Sequence, residues 1–131
     1  MRLLLDSQVV LWSLQSPERL PVEAVAAITN PVNSVDVSVA SLWEFAIKQS
    51  IGKLTVDGDL REHLTLQSFS ELPVLGEHAL AVRDLPLHHR DPFDRLLIAQ
   101  AKCEGLTIVT ADRAFAAYRS CLPDSQVMGQ R

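Results

Sequence analysis

The chain has little of what would mark it as secreted, membrane-bound or strongly basic. Its two cysteines, Cys103 and Cys121, are too few for a disulfide framework. Cys103 falls in an apolar helical pattern and is expected to be a buried, reduced thiol. No apolar run approaches the ~20 residues that a membrane-spanning helix needs. Asp6 breaks the opening Leu3-Leu4-Leu5 run too early for a secretory signal. The expectation is a cytoplasmic protein with no membrane attachment. Aromatic residues make up only 5%, so the core must be aliphatic. No glycine-rich loop follows a strand pattern, which argues against a nucleotide-phosphate cradle. Positive charge is not in excess either: the formal net charge is −4. That balance excludes a protein gripping nucleic acid with its whole surface, and leaves room only for local basic patches beside an acidic centre. Repeats, low-complexity runs and Gly/Ser linkers are missing, so a single domain over residues 1–131 is expected.

What is present is a regular alternation. Hydrophobic residues reach 47%, enough for a sizeable core. Leu3-Leu4-Leu5 reads as a short buried strand, and Val9, Val10, Leu11 and Leu14 as a helix after it. Pro21 suits the first position of a helix carrying Val22, Val25, Ala26 and Ile28, which Asn30-Pro31 ends. Val35 to Val39 alternates as a second strand, and Leu42 to Ile47 follows as a helix. Residues 59–69 pattern as another helix. Leu72 to Leu75 reads as a short strand, with Pro73 suited to a sheet edge, and Glu77 to Asp84 as a short helix. Asp91 to Gly105 has an acidic N-cap, Pro92 at the first helical position and glycine past the end. Leu106 to Thr110 is a strand, a short helix with Ala114, Phe115 and Tyr118 comes next, and Val127 closes a weak last strand. Short strands apolar on both faces, alternating with helices, predict an α/β fold: a mainly parallel sheet covered by helices.

Acidic residues stand where these runs give way to helices: Asp6, Glu44, Asp94 and Asp112. Each has a local explanation. Asp6 and Asp112 fit N-caps, Ser41-Leu42-Trp43-Glu44 fits a capping box, and Asp94 complements a helix dipole from the third helical position. In a parallel sheet, however, ligands sit beyond the carboxyl ends of the strands, and Asp6, Glu44 and Asp112 belong at that edge. Like charges ~5 Å apart at an effective dielectric near 20 repel by about 3 kcal/mol per pair. A divalent cation reverses the sign of that interaction, and an all-oxygen set without His or Cys favours Mg²⁺ or Mn²⁺ over Zn²⁺.

The segments Leu3-Leu4-Leu5-Asp6-Ser7, Ser41-Leu42-Trp43-Glu44, His89-Arg90-Asp91-Pro92-Phe93-Asp94-Arg95-Leu96-Leu97 and Thr110-Ala111-Asp112 resemble the PIN-domain family. They look most like VapC-type toxins of bacterial type II toxin–antitoxin operons, in order and along essentially the whole chain. The resemblance implies a three-layer α/β/α sandwich and a Mg²⁺- or Mn²⁺-dependent endoribonuclease. Acids matching Asp6, Glu44, Asp94 and Asp112 would form its metal site. It also implies a homodimer, silenced by a small cognate antitoxin. One departure is Ser7-Gln8, where related toxins often read Thr-His: the hydroxyl stays and an imidazole is lost.

The implied chemistry is attack of a metal-activated water on an RNA phosphodiester. Asp6 and Asp94 are the first candidates for direct ligands, with Glu44 and Asp112 completing the site. Ser7 could hydrogen-bond near the metal. Asp91 reads as an N-cap or as support for Asp94. Lys48, four residues after Glu44, fits a helix ion pair or a phosphate contact. Arg95 and Arg113 each follow a site acid and are phosphate candidates, as are Lys53 and Arg90. Thr110 would orient Asp112 or merely end its strand. His88 and His89 point different ways and have no ligand pattern around them. Trp12 and Trp43 read as core or dimer packing before base stacking. Against the ribonuclease stand a non-catalytic PIN-like binding module, which the full acid set disfavours, and an Asp6 phosphatase, which would carry a second acid where Gln8 stands.

Overall fold

Three leucines in a row open the chain as a strand with no solvent-facing side, and the sheet is built outward from them. The computed structural model describes residues 1–87 and 91–115, and the backbone of 127–128. The residues His88, His89, Arg90, Tyr118 and Cys121, on which readings were made above, lie outside the described residues. Strand β1 (Arg2–Leu5) leads to α1 (Ser7–Gln15), a 3₁₀ turn at Pro17–Arg19 and α2 (Val22–Thr29). Strand β2 (Ser34–Ser38) leads to α3 (Val39–Ser50) and α4 (Leu60–Leu66). Strand β3 (Ser70–Leu72) precedes α5 (Gly76–Ala81), a 3₁₀ turn at Val82–Asp84 and α6 (Pro92–Glu104), before β4 (Thr107–Val109) and β5 (Val127–Met128).

All strand pairs are parallel, in the order β3-β2-β1-β4-β5. Side chains alternate across β1. Leu3 and Leu5 join Val9, Val10, Val35, Val37, Phe45, Leu64 and Val109 on one face. Leu4 joins Leu97, Ile98, Ala101, Leu106, Ile108 and Phe115 on the other. Helices thus cover both faces, as expected of a parallel sheet. The first half of the chain runs from β1 outward to β3, and the second half crosses back to β4. The strand order therefore reverses between β1 and β4, leaving a crevice at their carboxyl ends.

Several boundaries differ from the sequence reading. Strand β3 ends at Leu72, before Pro73 rather than across it, because proline brings no N–H to the ladder; β3 is the edge strand that Pro73 suits. Pro21 is the N-cap of α2, not its first helical residue. The 59–69 helix shortens to Leu60–Leu66, with Asp59 capping the amides of Arg61 and Glu62. Helix α3 begins at Val39, capped by Ser38, whose Oγ accepts from the Ala40 amide at 3.0 Å. Glu44 accordingly sits in the second turn, and Ser41 is not its capping-box partner. Cys103 is exposed, because burial along α6 ends at Ala101. Trp43 is 62% exposed, so it is not a core residue.

One buried polar clasp fixes the helices that carry Glu44 and Asp94. Gln100 of α6 is fully buried; its Oε1 accepts from Ser38 Oγ at 2.6 Å and its Nε2 donates to the Pro73 carbonyl at 3.2 Å. Ser38 thus caps α3 and anchors α6 with one hydroxyl. Replacing Gln100 by leucine keeps volume but strands the Ser38 hydroxyl and the Pro73 carbonyl. Gln100→Leu is expected to lose about 1–3 kcal/mol in urea unfolding. An unchanged or raised midpoint would show that the clasp contributes nothing.

Candidate active site

The crevice between β1 and β4 is a cleft of about 310 Å³ lined by Asp6, Ser7, Gln8, Leu11, Trp12, Glu44, Lys48, Asp91, Asp94, Ala111 and Asp112. All four acids singled out by sequence reach it. So does Asp91, and among the described residues Lys48 is the lone cation in the lining.

Asp6 follows β1 directly, with its amide donating to the Val109 carbonyl of β4 at 3.0 Å. Its Oδ1 caps α1 by accepting from the Val9 amide at 2.8 Å. Its Oδ2 accepts from the Thr110 hydroxyl. Thr110 Oγ1 in turn accepts from the Asp112 amide at 2.9 Å. A single buried hydroxyl therefore ties Asp6 to Asp112, and Thr110 does more than end its strand. Asp112 itself is exposed and caps the 3₁₀ turn at 113–115 through the Ala114 amide.

Glu44 is gripped from two sides. Ser7 Oγ donates to its Oε1 at 2.8 Å and lies 3.0 Å from Ser41 Oγ. Lys48 Nζ lies 3.1 Å from Oε2 in the i,i+4 arrangement. Lys48 is the ion-pair partner of Glu44 and also lines the cleft. Ser41 is the supporting residue that sequence reasoning misassigned: one helical turn before Glu44, it looked like a cap.

Asp94 stands at the third position of α6. Asp91 caps that helix, its Oδ1 accepting from the Phe93 and Asp94 amides at 2.9 and 3.2 Å. Phe93 packs edge-on against Trp43, with ring centroids 5.3 Å apart, bracing the start of α6 against α3. Arg95 is turned to other work. Its guanidinium donates to the carbonyls of Val82 and Pro86, both at 3.0 Å, and it does not line the cleft. The phosphate role expected of it is not supported, because three turn carbonyls hold the fork. Arg113 and Lys53 are exposed and also stand outside the lining.

The electrostatics follow from this crowding. Burial pushes the Asp6 carboxyl up from 3.8 to about 6. The bonds from Thr110 and Val9 oppose that rise, while the charges of Asp94 and Asp112 add to it. No three of the site acids bring carboxylate oxygens within 4.8 Å of one another, as like charges in one cleft would arrange themselves. The donor set is carboxylate only, which suits a hard divalent cation. A neighbourhood that disfavours the ionised form of a buried carboxyl is also what such a cation would relieve.

Among the described residues, Glu77, His78 and Glu104 do come within that distance. His78 is fully buried, but its Nδ1 accepts from the Leu75 amide at 3.0 Å. The proton therefore sits on Nε2 and is donated to Glu104 at 3.0 Å. Neither ring nitrogen has a lone pair to offer, and this group reads as a structural tie between α5 and α6.

A stability consequence can be measured. The folded carboxyl of Asp6 keeps its proton up to about pH 6, whereas the unfolded one releases it near 3.8. Asp6 ionisation thus lowers stability progressively as pH rises through that window, by up to roughly 3 kcal/mol above it. Asp6→Asn is expected to raise the metal-free Tm at pH 7.5 and to lose that advantage toward pH 4. Millimolar Mg²⁺ should raise the wild-type Tm and leave that of Asp6→Asn nearly unmoved. A variant no more stable than wild type at pH 7.5 would contradict the crowding argument.

Comparison with known proteins bears on the family and the fold. The PIN domain family matches residues 3–120. Ribonuclease VapC22 of Mycobacterium tuberculosis is 32% identical over 128 residues, covering 92% of this chain and 94% of that protein. Among solved structures, VapBC2 of Rickettsia felis bound to a promoter DNA fragment superposes with a TM-score of 0.67 at 14% identity, over 99% of this chain and 98% of that one. FitAcB of Neisseria gonorrhoeae gives a TM-score of 0.63 at 22% identity, over 96% of each chain. At those identities the two structures speak for the fold alone. Together with the match along the sequence, they show that this chain belongs to the PIN-domain family, among its VapC-type members.

Proposed function

We propose that this protein is a metal-dependent endoribonuclease, the toxin of a toxin–antitoxin pair, acting as one domain over residues 1–131. The observation that carries the reading is the convergence of Asp6, Glu44, Asp94 and Asp112 on one cleft at the strand-order reversal, in a chain similar to a protein named as a ribonuclease. A cleft with five acids and one lysine repels a phosphodiester on its own, so productive binding requires a cation between them.

Asp6 and Asp94 would hold Mg²⁺ or Mn²⁺ directly, with Glu44 and Asp112 completing the set. When bound, that ion supplies an activated water and offsets negative charge on the phosphate. The protein's own contribution is positioning. Thr110 fixes the carboxylate of Asp6 and the backbone of Asp112 together. Ser7 and Lys48 fix the two oxygens of Glu44. Asp91 fixes the helix turn that presents Asp94. Asp112, which is exposed, would pass a proton from the attacking water to solvent.

A cognate antitoxin and a second copy of the chain belong to this reading. An exposed apolar row along α3, Val39, Trp43, Ile47 and Ile51, supports the presence of a partner chain. The same reading puts its action in the cytoplasm, where its RNA substrate would be met. Among the described residues no helix is long and apolar enough to cross a membrane.

Purified protein is expected to cleave structured RNA with Mg²⁺ or Mn²⁺ and to stop on chelation. Asp94→Asn should lose at least about 10²-fold in rate while keeping its circular dichroism spectrum. Expression without a partner should arrest growth, and Asp6→Asn should relieve the arrest. Cleavage that survives chelation or Asp94→Asn would refute the carboxylate–metal mechanism. RNA binding without cleavage would favour the non-catalytic PIN-like module.

A further inference from the structure

The acids explain catalysis but not how an RNA strand is held, since the lysine in the lining is already paired with Glu44. A second wall of the cleft suggests an answer. On α1, Gln8, Leu11 and Trp12 recur at i, i+3 and i+4 and line the cleft along the helix from Asp6. Trp12 lies six residues beyond Asp6, about 9 Å along the helix axis.

Arg19, in the 3₁₀ turn after α1, is not itself in the lining and meets the cleft through Trp12, its guanidinium carbon lying 5.6 Å from the centroid of that ring. Among the described residues no carboxylate lies within ion-pair distance of it. The contrast with neighbouring cations is sharp. Lys48 is paired with Glu44, Arg61 with Glu71, and Arg95 with turn carbonyls. Arg19 is exposed, so its charge faces solvent while an indole face holds its plane. The indole N–H is buried with no acceptor among the described residues, so the ring's orientation rests on packing and on Arg19.

We propose that Trp12 and Arg19 form the strand-holding shelf of the cleft. Arg19 binds a flanking phosphate of the RNA backbone, and Trp12 pre-orients it. A guanidinium is well matched to a phosphate here, because it stays charged, its fork fits the phosphate oxygens, and stacking reduces the freedom lost on binding. The assignment rests on the ribonuclease reading for its substrate class, but its geometry is independent of the metal.

The test separates binding from cleavage. A fluorescein-labelled single-stranded RNA would be titrated by anisotropy, at several salt concentrations, against the Asp94→Asn protein with and without Arg19→Ala. Arg19→Ala is expected to weaken binding on the order of tenfold and to reduce the slope of log affinity against log salt by about 0.7, the loss of one phosphate contact. Arg19→Lys should restore the slope and recover only part of the affinity. Lys102→Ala, at the opposite end of α6 from Asp94, should change neither. In the cleaving protein, Arg19→Ala should raise KM and leave kcat within about twofold. If wild-type protein cleaves RNA and Arg19→Ala changes neither slope nor KM, the shelf is refuted and the ribonuclease reading stands. A lowered Tm with an unchanged slope would assign Arg19 to packing and also overturn the proposal. If RNA binds in an Arg19-dependent way without being cleaved, the shelf stands and the catalytic reading falls. If the wild-type protein neither binds nor cleaves RNA with Mg²⁺ or Mn²⁺ present, both fall.

Discussion

The pairing register of β1 against β4 is the constraint on which the cleft depends. Leu5 faces Val109, and the next residue on β1, Asp6, donates its amide to the Val109 carbonyl. That register puts the Asp6 carboxylate beside Thr110 and, through one hydroxyl, beside the Asp112 backbone. A slip by one residue would exchange the faces of Leu3, Leu4 and Leu5 and turn Asp6 into the apolar layer. The two hydrophobic layers and the site are thus specified by the same ladder. Leu4 and Ile108 must face one layer and Leu3, Leu5 and Val109 the other for the acids to meet.

Capping and ligation are compatible because of how carboxylates are built. Asp6 uses Oδ1 for the Val9 amide and Oδ2 for Thr110, yet each oxygen has a further lone pair directed away from those bonds. Asp112 caps through one oxygen in the same way. The helix starts supply a backbone reason for the acids' positions, and the cleft supplies a chemical one. What capping does not explain is the burial of Asp6 near two like charges, which opposes its ionised form. That cost is borne by the fold at neutral pH, and the clasp between Gln100, Ser38 and Pro73 is one of the contacts that offset it.

Much of this was legible in the sequence where a signal was local. Leu3 to Leu5 read as buried strand because no polar residue interrupts them. Helix α6 was bounded by Asp91, Pro92 and Gly105, whose φ of +69° is the left-handed cap conformation glycine tolerates. Asp6, Asp94 and Asp112 were found because each sits at such a boundary; Glu44 was read at one too, but stands in the second turn of α3. Tertiary choices were not legible. Ser38 and Ser41 are one turn apart and equally able to cap, and burial beside Gln100 selects Ser38. That choice moved Glu44 into the second turn and gave Ser41 to Ser7. Arg95 looked like a phosphate ligand because it follows Asp94, but adjacent residues on a helix point different ways, and the turn at Val82–Asp84 takes its guanidinium. Cys103 fitted an apolar pattern whose last turn leaves the core.

The distribution of charge matters more here than its sum. A net charge of −4 and an acidic cleft repel RNA at distances set by the Debye length, so long-range steering by the whole protein works against encounter. On the proposed reading, affinity would come from short-range contacts that screening reaches least: a cation seated among the acids, and side chains held in place beforehand. In this fold the carboxylates are oriented by Thr110, Ser7 and Asp91, and the exposed guanidinium of Arg19 is oriented by Trp12. Both sets are aligned before substrate arrives, which lowers the ordering cost on binding and tells against a site assembled by the strand. On the proposed reading the acids would repel the phosphate they act on, and that repulsion would make turnover conditional on a bound cation rather than on the protein's fold alone.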